Sequence, residues 1–133
     1  MKKKILLITE RRADYSKLKP ILNEIKNSKK LDYYLIVTGS HLLKEHGNTI
    51  NEIKKDQFII HKKFHMYDSN SKDSGSHMVR SFGRAIVELS KIIEQVKPDI
   101  ILTGFDIGAN FAAAVVGAHL NIHVAHIEGG EVS

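Results

Sequence analysis

Residues 78–104 read MVRSFGRAIVELSKIIEQVKPDIILTG. Apolar residues recur at every third or fourth position from Met78 to Val96, which predicts an amphipathic helix. Pro98 ends that helix, and the apolar run Ile100–Leu102 predicts a short buried strand, closed by a glycine. An amphipathic helix that leads at once into an apolar strand is the repeating unit of a parallel sheet with helical crossovers.

The same alternation extends along the whole chain. Because the strand runs are apolar on both faces, the sequence predicts an α/β fold: a Rossmann-like parallel sheet flanked by helices. We expect Asp14 or Ser16 to cap the first helix and Pro20 to lie in its first turn. Further helices are expected over 48–56 and 109–119, and the third strand is expected near an edge. The predicted strands are residues 4–9, 33–38, 58–62, 99–103 and 122–127.

The composition fits one domain over residues 1–133, with 42% hydrophobic and 26% charged residues. The chain has no cysteine, which excludes disulfides and cysteine-based metal sites or nucleophiles. The net charge of +5 and the pI near 9.4 favour anionic partners, or serve solubility alone. Nucleic acid is not expected as a partner, because no basic stripe interleaved with aromatic residues is visible.

The start of the chain does not have the pattern of a targeting segment. The apolar run Ile5–Ile8 follows Lys2–Lys4 but is only four residues long, whereas a signal peptide needs a longer apolar core and a small-residue cleavage site. No stretch approaches the length of a transmembrane helix. We therefore expect a cytoplasmic protein with no membrane contact.

In an open parallel sheet, ligands bind outside the carboxyl ends of the strands, so the residues after each predicted strand are the candidates. Arg12 and Lys17 lie around the start of the first helix, where free N–H groups and basic side chains attract phosphate. A solvated basic turn is the alternative. His41 follows Gly39 and offers a hydrogen-bonding ring, although a surface histidine explains it equally well. The histidines lack zinc-site spacing, so no metal is expected.

Asp106 and Glu128 follow the fourth and fifth predicted strands, which should be close neighbours. Two carboxylates at the mouth of a parallel sheet can divide acid and base roles if their environments separate their pKa values. The alternative for Asp106 is a helix cap. Gly129 lets the backbone approach a ligand closely. Residues 67–77 are polar and turn-rich and predict a flexible loop, with a position over the ligand left open.

Four motifs follow one another along the chain: Arg12–Leu18 (RADYSKL), Gly39–Leu42 with Gly47–Thr49, Lys97–Ile100, and His126–Ser133 (HIEGGEVS). In this order they resemble the motifs of hydrolysing UDP-N-acetylglucosamine 2-epimerases. The resemblance covers essentially the whole chain, and the last motif is the most specific.

The resemblance implies the N-terminal half of a two-domain fold of the GT-B type, with the active site in the cleft between two Rossmann-like halves. It implies elimination of UDP from UDP-N-acetylglucosamine through a glycal-like intermediate. Water then adds to give N-acetylmannosamine for sialic-acid-type sugars, without a cofactor. Arg12 and Ser16 are implied to contact the nucleotide, and Glu128 is implied to act as acid or base. The implied partners are a UDP-sugar and the missing second domain, with a homo-oligomer left open.

Three departures from the family pattern bear on the site. Glu10 and Arg11 stand where the family has a small pair, and we expect Glu10 to turn away from a diphosphate or to pair with an arginine. The usual HGDR motif is replaced by TGFDIG, so Asp106 is displaced by one position as a stand-in for the family's catalytic aspartate. The family also continues beyond Ser133, so we expect an inactive fragment.

Three alternatives remain open at this point. The chain could be a non-catalytic module that binds nucleotide sugars, or an epimerase that acts on a related UDP-diacetamido sugar. A non-hydrolysing epimerase is the third alternative, and Arg12–Asp14 and Glu128–Gly130 argue against it.

Overall fold

The computed structural model describes residues 1–43, 49–67, 75–104 and 108–127. The strands are β1 (Lys3–Thr9), β2 (Leu31–Val37), β3 (Lys62–Lys63), β4 (Ile100–Gly104) and β5 (His123–Ile127). They form one sheet in the order β3-β2-β1-β4-β5, and each pair of neighbours is parallel. This confirms the predicted parallel α/β fold.

Helices connect the strands. They are α1 (Arg12–Lys26), α2 (Ile50–Lys55), α3 (Gly75–Val96) and α4 (Gly108–His119), with a 3-10 helix at Gly39–Leu42. None of the helices in the described ranges combines the length and the apolar character that a membrane crossing requires.

Each face of the sheet packs against a different pair of helices. Leu6 and Ile8 of β1 belong to the core that α3 and α4 cover, whereas Leu7 belongs to the core that α1 and α2 cover. All three side chains have 0% exposure. The alternation follows from the period of two in a strand, and it explains why the strand runs are apolar at every position.

The strand order reverses at β1, which lies at the centre of the sheet. β1 pairs with β2 over its full length, from Lys3 opposite Leu31 to Thr9 opposite Val37. On its other side it pairs through Ile5–Leu7 with β4. The topological switch point therefore lies between β1 and β4, where the connections leave toward opposite faces of the sheet. In open α/β sheets, the carboxyl ends at such a point are the usual place of a ligand.

The start of α1 differs from the prediction. Arg11 is the N-cap residue, and Asp14 is the third residue of the helix rather than its cap. The Asp14 carboxylate accepts the backbone N–H of Arg11 at 3.1 Å, which is one half of a capping box. Because the helix begins this early, Pro20 lies in its interior and not in its first turn.

The predicted third strand is displaced toward the C-terminus. Residues 58–60 are not a strand; Phe58 is buried between α1 and α2. The preceding Gln57 has φ 68°, and the chain then leaves α2 to reach β3. β3 pairs with only Ile36 and Val37 of β2. Its position at an edge of the sheet agrees with the prediction.

Candidate functional site

The carboxyl ends of β1, β2 and β4 meet at one edge of the sheet. β1 ends at Thr9, the 3-10 helix begins at Gly39 after β2, and β4 ends at Gly104. The backbone carbonyl of Glu10 accepts the N–H of Ser40 at 2.9 Å and so joins the ends of β1 and β2. The sequence predicted a ligand at the carboxyl ends of the strands, and this edge also contains the switch point.

Glu10 lies across this edge with its side chain buried. The residue is 5% exposed. Its Oε1 accepts the N–H of Ala109 in the first turn of α4 at 2.7 Å, and its Oε2 accepts the phenolic hydroxyl of Tyr67. Two neutral donors thus hold the carboxylate. Of the two arrangements that we expected for Glu10, the ion pair with an arginine is not seen among the described residues.

Two glycines make room for the Glu10 side chain. Gly39 and Gly108 have φ of +65° and +64°, a conformation that favours glycine. A Cβ atom on Gly39 would overlap Cγ of Glu10, and one on Gly108 would overlap its Oε1. The sequence showed both glycines but not that one glutamate occupies the space beside both.

His41 connects the end of β1 to the start of α2. It is 1% exposed, with Nε2 2.8 Å from the Thr9 hydroxyl and Nδ1 2.7 Å from the Thr49 hydroxyl. Burial lowers the pKa of His41, so the ring is neutral at pH 7. Its predicted contact with substrate stays a prediction, and in this conformation both ring nitrogens are bonded to threonine hydroxyls.

The first two turns of α1 present basic and polar side chains to solvent. Arg12 forms an ion pair with Glu52 of α2 at 3.2 Å, and its side chain is 69% exposed. The Ser16 hydroxyl donates to the carbonyl of Arg12 at 3.1 Å, and Lys17 is exposed. The structure therefore brings Arg12, Ser16 and Lys17 together next to the carboxyl end of β1. Their predicted contacts with the nucleotide stay a prediction.

A pocket of about 260 Å³ opens beside the end of β4. The Thr103 hydroxyl lies 3.0 Å from Nδ1 of His126 at its wall. Asn110 is 2% exposed; its amide oxygen accepts the N–H of Gly104 at 3.2 Å, and its NH₂ group donates to the carbonyl of Ile8 at 3.3 Å. The pocket is lined by Thr103, Gly104, Asn110, Phe111, Ala114 and His126.

Sequence reasoning missed Asn110 and Phe111 as pocket residues. Asn110 is the one strongly polar side chain before His119 in an otherwise small and apolar helix, which is a usable signal. Phe111 is 53% exposed and its ring lies 5.2 Å from that of Phe82 of α3. An exposed aromatic ring beside a pocket with a few polar groups at a sheet edge suits contact with a sugar or a base.

The predicted catalytic residues Asp106 and Glu128, and the predicted binding residue Gly129, lie outside the described residues, as do residues 68–74 of the predicted loop. The strands that precede the two carboxylates are described. Gly104, at the end of β4, is the register partner of Ile127, at the end of β5. Asp106 and Glu128 thus follow directly neighbouring strands, as the sequence predicted.

Within the described part of the chain, no three His, Asp or Glu side chains are grouped in a way that could hold a metal ion. The donors at the edge are instead hydroxyls, backbone N–H groups, an amide and histidine rings. Such groups bind hydroxyl and phosphate oxygens by hydrogen bonds.

A Rossmann-like α/β domain with a topological switch point and a pocket at its carboxyl edge is the class of protein that this fold defines. The chain belongs to the UDP-N-acetylglucosamine 2-epimerase family, whose sequence profile matches residues 23–133. The family resemblance found in the sequence is thereby confirmed.

Individual relatives agree with this assignment. The chain is 38% identical over 133 residues to the UDP-N,N'-diacetylbacillosamine 2-epimerase (hydrolyzing) of Legionella pneumophila, covering 100% of this chain and 35% of that protein. It is 37% identical over 131 residues to the UDP-N-acetylglucosamine 2-epimerase of Neisseria meningitidis, covering 98% and 33%.

A solved structure shows the same fold. The crystal structure of the UDP-GlcNAc 2-epimerase of Methanocaldococcus jannaschii, in complex with UDP-GlcNAc and UDP, matches 100% of this chain and 34% of its own chain. The TM-score is 0.77 at 24% identity. The fold is thus the Rossmann-like N-terminal part of a GT-B-type architecture, and the chain spans about a third of the length of its relatives.

Proposed function

We propose that residues 1–133 are the N-terminal domain of a hydrolysing UDP-N-acetylglucosamine 2-epimerase. The observation that carries the proposal is the pairing of Gly104 with Ile127, because Asp106 and Glu128 then follow neighbouring strands at the carboxyl edge of the sheet, next to the switch point. The Legionella relative is named as a hydrolyzing epimerase, which supports the reaction type.

In the proposed reaction, UDP leaves the sugar and a glycal-like intermediate forms as a proton is taken from C2. Water then adds at C1, and a proton returns to C2 on the opposite face to give N-acetylmannosamine. The products are UDP and the free sugar, so no external oxidant or cofactor is needed. Asp106 and Glu128 supply the acid and the base, a division of labour that two carboxylates in different environments can perform.

The binding residues have separate proposed roles. Arg12, Ser16 and Lys17, in the first two turns of α1, interact with the nucleotide. Gly129 lets the backbone approach the sugar. His41 stabilises the carboxyl edge through its hydrogen bonds with Thr9 and Thr49. A UDP-diacetamido sugar is the alternative substrate, because the Legionella relative is named for such a sugar.

We propose that a further domain supplies the second wall of the cleft and that the isolated chain is therefore inactive. We also propose that the whole enzyme acts in the cytoplasm. Correct placement of reacting groups contributes roughly 7–11 kcal/mol to catalysis, and an open half-site cannot provide it. The chain should release no UDP alone and should regain activity when joined to the C-terminal domain of the Legionella relative.

The test measures UDP release and sugar product by NMR, with UDP-N-acetylglucosamine and the diacetamido sugar as substrates. In the joined protein, Glu128→Gln should abolish release, while Glu94→Gln, on an exposed position of α3, should leave it unchanged. Free N-acetylmannosamine identifies the hydrolysing reaction. A UDP-linked product, or full activity of the Glu128→Gln protein, contradicts the proposal.

A further inference from the structure

We propose that Glu10 is a built-in anion that fills the N-terminus of α4 and makes this part of the edge reject phosphate and carboxylate groups. Glu10 would thus determine specificity: the carboxyl edge of the sheet accepts an uncharged polar part of a ligand next to Glu10 and not an anionic one. The inference rests on the contacts of Glu10 and does not depend on the proposed epimerase reaction.

The contacts of Glu10 fit an ionised carboxylate. Ala109 donates its backbone N–H to Oε1 at 2.7 Å, and Tyr67 donates its hydroxyl to Oε2. Burial and the bond to Glu10 raise the pKa of Tyr67, so its hydroxyl keeps its proton and remains a donor. The N-terminus of a helix carries a partial positive charge and free N–H groups, which favour a negative group at this place.

The space around Glu10 fits its side chain closely. Gly39 and Gly108 lie on two sides, and a Cβ atom on either would overlap it. The Glu10 backbone is also fixed, because its carbonyl accepts both the N–H of Ser40 at 2.9 Å and its hydroxyl at 3.0 Å. Within the described residues, both the backbone and the carboxylate of Glu10 are thus held in place by hydrogen bonds.

An anionic ligand at this position would meet the charge of Glu10 at close range and would find the Ala109 N–H already bonded. Repulsion between like charges weakens its binding by at least about tenfold. The pocket next to this position offers the neutral groups of Thr103 and Asn110. An uncharged polar group of a ligand is therefore favoured over a phosphate at this place.

The test uses the 133-residue chain and two small anions, inorganic phosphate and formate, followed through the amide resonance of Ala109. In the wild type, neither anion should shift this resonance. Glu10→Gly leaves a carboxylate-sized space, so formate should bind saturably, at least about tenfold more tightly than to the wild type, and should raise Tm. Glu94→Gly on the exposed face of α3 is the control and should gain no affinity.

Two results would overturn the proposal. One is phosphate binding at Ala109 in the wild type; the other is a folded Glu10→Gly chain that gains no affinity for formate. If Glu10→Gly fails to fold, a measurement on the wild-type chain still tests the proposal. The side-chain carboxyl ¹³C shift of Glu10 must then show an ionised group at pH 7. A protonated Glu10 at pH 7 would contradict the inference.

Discussion

Tyr15 donates its phenolic hydroxyl to Asp56 over 2.5 Å, which joins α1 to the residue that ends α2. The same carboxylate oxygen lies 3.1 Å from Nζ of Lys19. The hydrogen bond from Tyr15 lowers the pKa of Asp56, so the carboxylate stays ionised. These three side chains hold α1 and α2 together on their face of the sheet.

Tyr15→Phe should lower the free energy of unfolding by about 1 kcal/mol, the usual contribution of one hydrogen bond. The ring itself would remain packed against Phe58, whose centroid is 6.4 Å away. Urea unfolding of Tyr15→Phe, Asp56→Asn and the double variant measures the coupling. Strictly additive effects would show that the bond contributes nothing.

The buried histidine His41 should make the protein less stable in mild acid. Its folded pKa is lowered by burial, so the unfolded chain takes up a proton that the folded chain does not bind. The resulting stability is present above the unfolded pKa of about 6.5 and is lost as pH falls toward the folded value. The slope should approach about 1.4 kcal/mol per pH unit for this one group.

Urea unfolding between pH 7 and 5 measures this slope. His41→Gln should lower stability at pH 7 and flatten the curve, while His119→Gln, at an exposed end of α4, should leave the slope as it is. An unchanged slope in His41→Gln would assign the acid sensitivity to other groups.

Two helical glycines should respond in opposite directions to alanine. A Cβ at Gly83 of α3 meets nothing within 4 Å, whereas one at Gly117 of α4 lies 2.7 Å from Val124 and 2.8 Å from Ile101. Gly83→Ala should therefore stabilise the fold by about 0.5–1 kcal/mol. Gly117→Ala should destabilise it by about 1 kcal/mol or more through overpacking against β4 and β5. Thermal unfolding of the pair is the measurement, and equal Tm values would be the contrary result.

Replacement of the proline inside α1 should also stabilise the protein. Pro20 is exposed and cannot donate an N–H to the preceding turn. Pro20→Ala restores the donor and should raise stability by about 1 kcal/mol, less than the full penalty of about 3 kcal/mol because proline also restricts the unfolded chain. Pro98→Ala, at a buried position beyond the end of α3, is the comparison outside a helix and should give no such gain.

The sequence predicted β1, β2 and β4 because they contain apolar runs that a sheet covered on both faces can bury. It predicted β5 from the shorter alternation of apolar and polar residues in His123–Ile127. β3 was misplaced since its two residues, Lys62 and Lys63, are exposed and pair through backbone alone. The neighbours Phe58–Ile60 carry the stronger apolar signal, yet Phe58 packs against helices. Side-chain chemistry cannot identify a strand defined only by its backbone bonds.

Prediction of the site was limited in the same way. The segments that approach the carboxyl edge could be predicted, because that edge follows from parallel topology. The contacts of Glu10 could not, since Gly39, Tyr67 and Ala109 are far apart in the chain and meet only after folding. The same holds for His41, whose two threonine partners come from different elements.

The two outer strands of the sheet, β3 and β5, differ in length and in lysine content, two features that limit aggregation at an exposed strand edge. β3 is two residues long and consists of exposed lysines, which prevent strands of other molecules from adding to that side. β5 has five residues, none of them buried and none a lysine. In concentrated preparations of this 133-residue chain, β5 is therefore the side at which we expect intermolecular strand addition to begin, and a lysine placed at Ala125 should suppress it.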